Sequence, residues 1–222
     1  MKGNLTILLI AFSLISCNLK QHKKSNSTKV SKNKKVENKL LDSFQLRETF
    51  NKLDKPSNEF LTVRLKPIRQ NFKRINSISS KDWTSIVTND LEGTNEGGVV
   101  TYYYFDKKLE KVVTKEFGES FQVLTEYFLL DNEISFVFEK SLQYNRPIYQ
   151  DSSAMKKLDD NQSFDVDKSE IIEDRSYFEK GKLINQLNNQ DCGSPFSDDY
   201  LKEEQTRIIK KFNRVLEIEK SK

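Results

Sequence analysis

Between Gly97 and Tyr144 the chain carries four runs rich in Val, Tyr, Phe, Ile and Thr, separated only by short polar turns. β-Branched and aromatic side chains fit a pleated, half-buried surface, so this stretch is constrained to a sheet. The turns fall at Asp106-Lys107-Lys108, Gly118-Glu119 and Asp131-Asn132, and turns this short make it an antiparallel meander. Alternation is clearest in Leu109/Lys111/Val113/Lys115 and in Ile134/Phe136/Phe138. A further hairpin spans 170–189 and turns at Lys180-Gly181, and Trp83 opens another strand-like run, DWTSIVT.

Helical patterns flank the sheet. Leu61, Leu65, Ile68, Phe72 and Ile75 recur at spacings of four and three, an amphipathic stripe. Ser57 or Asn58 can cap this helix, and Pro67 either kinks it or marks the start of its regular part. A first helical stretch is expected over 37–53, with Leu40, Leu41 and Phe44 on one side. The last helix starts near Ser194-Pro195 or Ser197. Asp198 and Asp199 suit its positive end, and Leu201, Ile208, Phe212 and Val215 form its buried stripe. The expected architecture is α+β: an antiparallel meander of about six or seven strands with N- and C-terminal helices packed on one face. The other face is then free to be wet, or to bind.

Three hairpins, YYFDKKLEKV, YFLLDNEISFV and SYFEKGKLINQ, look like variants of one unit. Each has aromatics leading into a tight turn, then a charged and an aliphatic residue on the return. They resemble the hairpin units of MORN-variant repeats, without those repeats' regular glycines and even period. The resemblance implies a meander and brings no function.

The N-terminus reads as an address. Lys2 precedes Leu5–Ile15, eleven mostly apolar and uncharged residues, and Ser16 is a small residue at a cleavage point. A membrane-spanning helix needs about 20 such residues, so this run is too short to stay as one. Leu14-Ile15-Ser16-Cys17 resembles the lipobox of bacterial lipoproteins. That resemblance implies diacylglycerol transfer to the Cys17 sulfur, cleavage before it and acylation of the new N-terminus. The expected partner is therefore a lipid bilayer, held through acylated Cys17. Asn18 after the cysteine implies the outer membrane. Lys20, Lys23 and Lys24 are unlike the acidic surface-export signal of some Bacteroidota, which favours the periplasmic side. The Lys- and Asn-rich composition is similar to that of Bacteroidota lipoproteins of this size. The organisation expected is a signal peptide over 1–16, a lipidated cysteine with a disordered basic tether over 17–39, and one domain over 40–222.

Charge supports that division. The whole chain is formally +4, but Lys20–Lys39 holds eight lysines against Glu37 alone. From Leu40 onward, 28 basic residues face 32 acidic ones, so the folded part is mildly acidic. A nucleic-acid-binding domain needs a basic face of its own, so no nucleic-acid partner is expected. The tether has too few apolar residues to offset its chain entropy.

The domain's chemistry is bounded by what it lacks. The sole histidine, His22, lies in the tether, which excludes Ser-His-Asp and Cys-His pairs and histidine-ligated metals. No phosphate-binding glycine loop follows a strand. Carboxylates remain: Glu126, Glu139, Glu170 and Glu173 lie on or near strands, with Arg146 and Arg175 as partners. Asp159, Asp160, Asp165 and Asp167 cluster without the glycine and glutamate of an EF-hand loop. Cys192 is left without a partner once Cys17 is acylated, and reads as a small buried residue. Tyr144, Asn145, Arg146 and Tyr149, together with Arg175, are the residue types that anchor binding surfaces. The expectation is a non-enzymatic binding protein for an envelope protein or small ligand, with no catalytic residue, cofactor or metal. The alternatives are a carboxylate-based envelope hydrolase, or an inhibitor or immunity-like protein.

Overall fold

The computed structural model describes residues 61–88, 91, 96–190 and 196–220. The leader, Cys17, the tether, the helix expected over 37–53 and Cys192 lie outside those residues. The described residues form seven strands in sequence order: β1 (Thr84–Thr88), β2 (Gly98–Phe105), β3 (Lys108–Gly118), β4 (Phe121–Leu130), β5 (Glu133–Gln143), β6 (Glu170–Glu179) and β7 (Lys182–Asn188). Every neighbouring pair is antiparallel. The helices are α1 (Thr62–Ser77), a short α2 (Ser152–Lys157) and α3 (Asp198–Lys220), with 3-10 turns at Ser80–Asp82 and Val166–Lys168. This is the α+β meander that the sequence pattern predicts.

The three similar hairpins share their backbone geometry. Their turns carry two residues at positive φ: Asp106 and Lys107, Asp131 and Asn132, Lys180 and Gly181. That is the conformation whose twist matches a two-residue hairpin. Each pairing then shifts register two pairs from the turn, between Tyr103/Tyr104, Phe128/Leu129 and Tyr177/Phe178. The extra residues are Glu110, Ser135 and Ile184 on the return strands, bulges that increase local twist. On β2, Gly98 admits no side chain, because a Cβ there would lie 2.7 Å from the Lys115 carbonyl oxygen.

The two long helices cover opposite faces of the sheet, not the one face expected. Strand residues alternate between faces, and here both sets are apolar: Tyr127 and Phe128 are adjacent and both fully buried. On the first face, Leu65, Ile68 and Ile75 of α1 pack against Phe128, Phe136, Phe138 and Tyr177. On the second face, Ile208, Phe212 and Val215 of α3 pack against Val100, Tyr102, Val112, Tyr127 and Val137. Burying each such side chain contributes about 1.5–3 kcal/mol, so a sheet apolar on both sides is more stable with a helix on each.

Polar contacts fix each helix in place. Buried Asn71 of α1 donates to the Leu129 carbonyl at 2.8 Å and to Ser135 Oγ at 3.2 Å. The Tyr102 hydroxyl donates to the Val215 carbonyl at 2.6 Å. α1 starts after Leu61 with no side-chain cap and runs through Pro67; the expected caps Ser57 and Asn58 lie outside the described residues. Ser197 begins α3, accepting at Oγ from the Tyr200 N–H at 3.3 Å.

Candidate functional site

The segment between β5 and β6 is held by its own polar side chains. Tyr144 is buried edge-on against Phe164, with ring centroids 5.1 Å apart. Burial pushes its hydroxyl up to about 12, opposed by a hydrogen bond with Gln122. Asn145 accepts from the Asp165 N–H at 2.9 Å and donates to the Ser163 carbonyl at 3.0 Å. Arg146 donates to Asp160 at 3.0 Å, Gln162 at 3.1 Å and Gln150 at 3.3 Å. The Tyr144 and Ile148 N–H groups bond the Ser120 and Glu119 carbonyls in the β3–β4 turn, each at 2.8 Å. Three of the expected binding residues therefore stitch this loop together, while Tyr149 stands 56% exposed. Of the aspartates, Asp160 serves Arg146, and Asp165 accepts from the Asp167 N–H at 3.1 Å.

Arg175 lies elsewhere, on the first face. It is buried over the Phe138 ring at 5.0 Å and donates to Glu173 at 3.1 Å. Glu173 also pairs with Lys140. Further along this face Lys111 and Glu126 form a buried ion pair at 2.6 Å, and Lys111 lies over the Tyr103 and Phe128 rings. Glu170 accepts from Gln190 at 2.6 Å.

The second face carries a different arrangement beside α3. Register aligns Thr114, Thr125, Glu139, Asp174 and Asn188 in one row across β3 to β7. The Thr125 hydroxyl donates to Glu139 Oε2 at 3.3 Å, and Arg207 donates to the same oxygen at 3.3 Å. Lys211 lies 3.5 Å from that oxygen and bridges to Glu116 at 2.5 Å. Burial alone would raise the Glu139 carboxyl, but Lys211, Arg207 and these hydrogen bonds hold it below its usual 4.5. Asp174, directly opposite Glu139, behaves in the reverse sense. Burial lifts its carboxyl above the usual 3.8, the neighbouring charges of Glu139 and Glu204 add to the lift, and Asn188, donating at 2.7 Å, opposes it with Arg207.

The row and α3 thus bring Glu139, which the sequence singles out, together with residues it does not, among them Asp174 and Asn188 of the row and Arg207 and Lys211 of the helix. Some signal was present. Arg207 and Lys211 are four apart on one side of a helix, and Glu170, Ile172, Asp174 and Ser176 share one face of β6. No protein-family model, curated protein or solved structure matches this chain.

Proposed function

We propose that this chain is a lipid-anchored protein of the bacterial envelope, acylated at Cys17 and held on a basic tether, whose domain binds a partner without transforming it. The observation that carries the anchoring is the tetrapeptide Leu14-Ile15-Ser16-Cys17, placed after an uncharged run and before a lysine-rich segment. One buried acyl chain binds a membrane only marginally, and two or more bind stably, so the modification would fix the domain at a bilayer surface. Binding rather than hydrolysis is supported by how the strand carboxylates are used. Glu126, Glu139 and Glu173 each pair with a cation, and Glu170 accepts from an amide. The hydrolase reading rests on Asp174 opposite Glu139, two carboxyls displaced in opposite directions, the pattern of an acid and base. Glu139 is already neutralised by two side chains, which leaves it poorly placed as a base.

Fractionation tests the reading. The wild type is expected in the outer-membrane fraction, resistant to high salt and carbonate. Cys17→Ala is expected to lose signal-peptide cleavage at that site and the outer-membrane position. Equal fractionation of the two proteins would refute it.

A further inference from the structure

We propose that the patch around Asp174 and Glu139, beside α3, binds a single cationic nitrogen group, the ammonium or guanidinium of a peptide side chain or a free amine. The inference goes beyond lipid anchoring and does not depend on it.

Charge is the first argument. Four carboxylates meet here, Glu116, Glu139, Asp174 and Glu204, against two cations, Arg207 and Lys211. Asp174 pairs with neither cation directly. Its hydrogen bond comes from the neutral Asn188 amide onto one oxygen. Like charges directly opposite in a sheet are destabilising, and Asp174 faces Glu139. A cation placed beside Asp174 would balance the carboxylate that Arg207 and Lys211 leave unpaired.

Beside these carboxylates lie buried polar atoms with no hydrogen-bond partner among the described residues. Tyr127, Val137, Ser176 and Gln186 form the adjoining row on the same face. The Tyr127 hydroxyl is fully buried and unbonded, and it lies within the electrostatic reach of Glu139 and Glu116. Gln186 is 4% exposed, and both its amide oxygen and its amide nitrogen are unbonded. Such groups are destabilising when left unpaired, and each needs an explanation. Gln186 is the diagonal neighbour of Asp174, and Tyr127 that of Glu139, whose partners all crowd onto Oε2, so the patch is rich in acceptors. An N–H donor carrying positive charge matches it, whereas an anion would meet net negative charge. Among the described residues no group of three acidic, histidine or cysteine side chains is arranged to hold a metal ion. The side chains of Glu139 and Arg207 are 17% and 40% exposed, so the patch opens at the margin of α3.

The test titrates the intact chain with N-acetyl-lysinamide, N-acetyl-argininamide and uncharged N-acetyl-norleucinamide. The readouts are the Asp174 carboxyl carbon and the Gln186 and Asn188 side-chain amides by NMR. Saturable shifts are expected with at least one cationic probe and none with norleucinamide, and the two cations separate ammonium from guanidinium recognition. Asp174→Asn should weaken binding about tenfold or more, the loss of one charge-assisted hydrogen bond. Tyr127→Phe should weaken it several-fold while leaving the melting temperature within a few degrees. No saturable shift with either cation up to about 50 mM, well above a millimolar dissociation constant, would overturn the assignment. So would an unchanged response in Asp174→Asn, or unpartnered groups that prove to hold ordered water only.

Discussion

The ion pair between Lys111 and Glu126 offers the sharpest stability test. Both side chains are about 95% buried and their charged atoms lie 2.6 Å apart. Removing one member of a buried ion pair costs about 3–5 kcal/mol. For a domain of this size each kcal/mol lowers the melting temperature by about 2–4 °C, so Lys111→Met should lose about 6–20 °C. Glu126→Leu should lose less, because the Lys111 ammonium still lies over the Tyr103 and Phe128 rings at 5.6 and 5.2 Å, worth about 0.5–2 kcal/mol. The double variant replaces both charges with apolar groups and should return to within about 1 kcal/mol of wild type. Urea denaturation of all four proteins, with the slope compared to confirm like transitions, gives the coupling energy directly. Single variants that each cost under about 1 kcal/mol, the range of exposed pairs, would refute burial. A double variant as unstable as the worse single would refute the argument that the charges repay little beyond each other.

Two pH effects of opposite sign follow from the second-face row. Glu139 is depressed, so its contribution is present above its unfolded value of 4.5 and is lost as pH falls through the folded value; Glu139→Gln should flatten that part of the acid limb. Asp174 is raised, so the folded state binds its proton more tightly and a penalty grows as pH rises from 3.8 through the folded value. Asp174→Asn should therefore raise stability at pH 7 and make little difference below pH 3.8, measured by thermal unfolding across that range. Arg146→Ala removes the bonds to Asp160, Gln162 and Gln150. It should cost about 1–2 kcal/mol and speed tryptic cleavage at the exposed Lys156 and Lys157. Tyr102→Phe deletes the bond to the Val215 carbonyl and should cost about 1 kcal/mol, with faster amide exchange in the last turns of α3.

The meander was legible because its determinants are local. Asp131-Asn132 and Lys180-Gly181 supply the left-handed residues that short hairpins need, and the strands between them alternate visibly. The stripes of α1 and α3 were legible for the same reason. Which face each helix takes was not, because Tyr127 and Phe128 are both large and apolar and period-two alternation cannot rank them. The Glu139–Asp174 row was hidden by distance along the chain. Its register is set across the connection between Gln143 and Glu170, and spacing in sequence does not report which side chains that loop brings level. Arg146 was legible as an anchor, but an arginine beside a proline reads alike whether its acceptors lie in a partner or, as here, in its own loop.

Whether Cys17 carries a lipid is read by intact-mass spectrometry of the protein purified from native membranes. The predicted result is a chain beginning at Cys17, heavier than its sequence by a diacylglyceryl group on sulfur and an acyl group on the new amine. A chain retaining Met1 to Ser16, or one whose Cys17 carries an unmodified thiol, would contradict it.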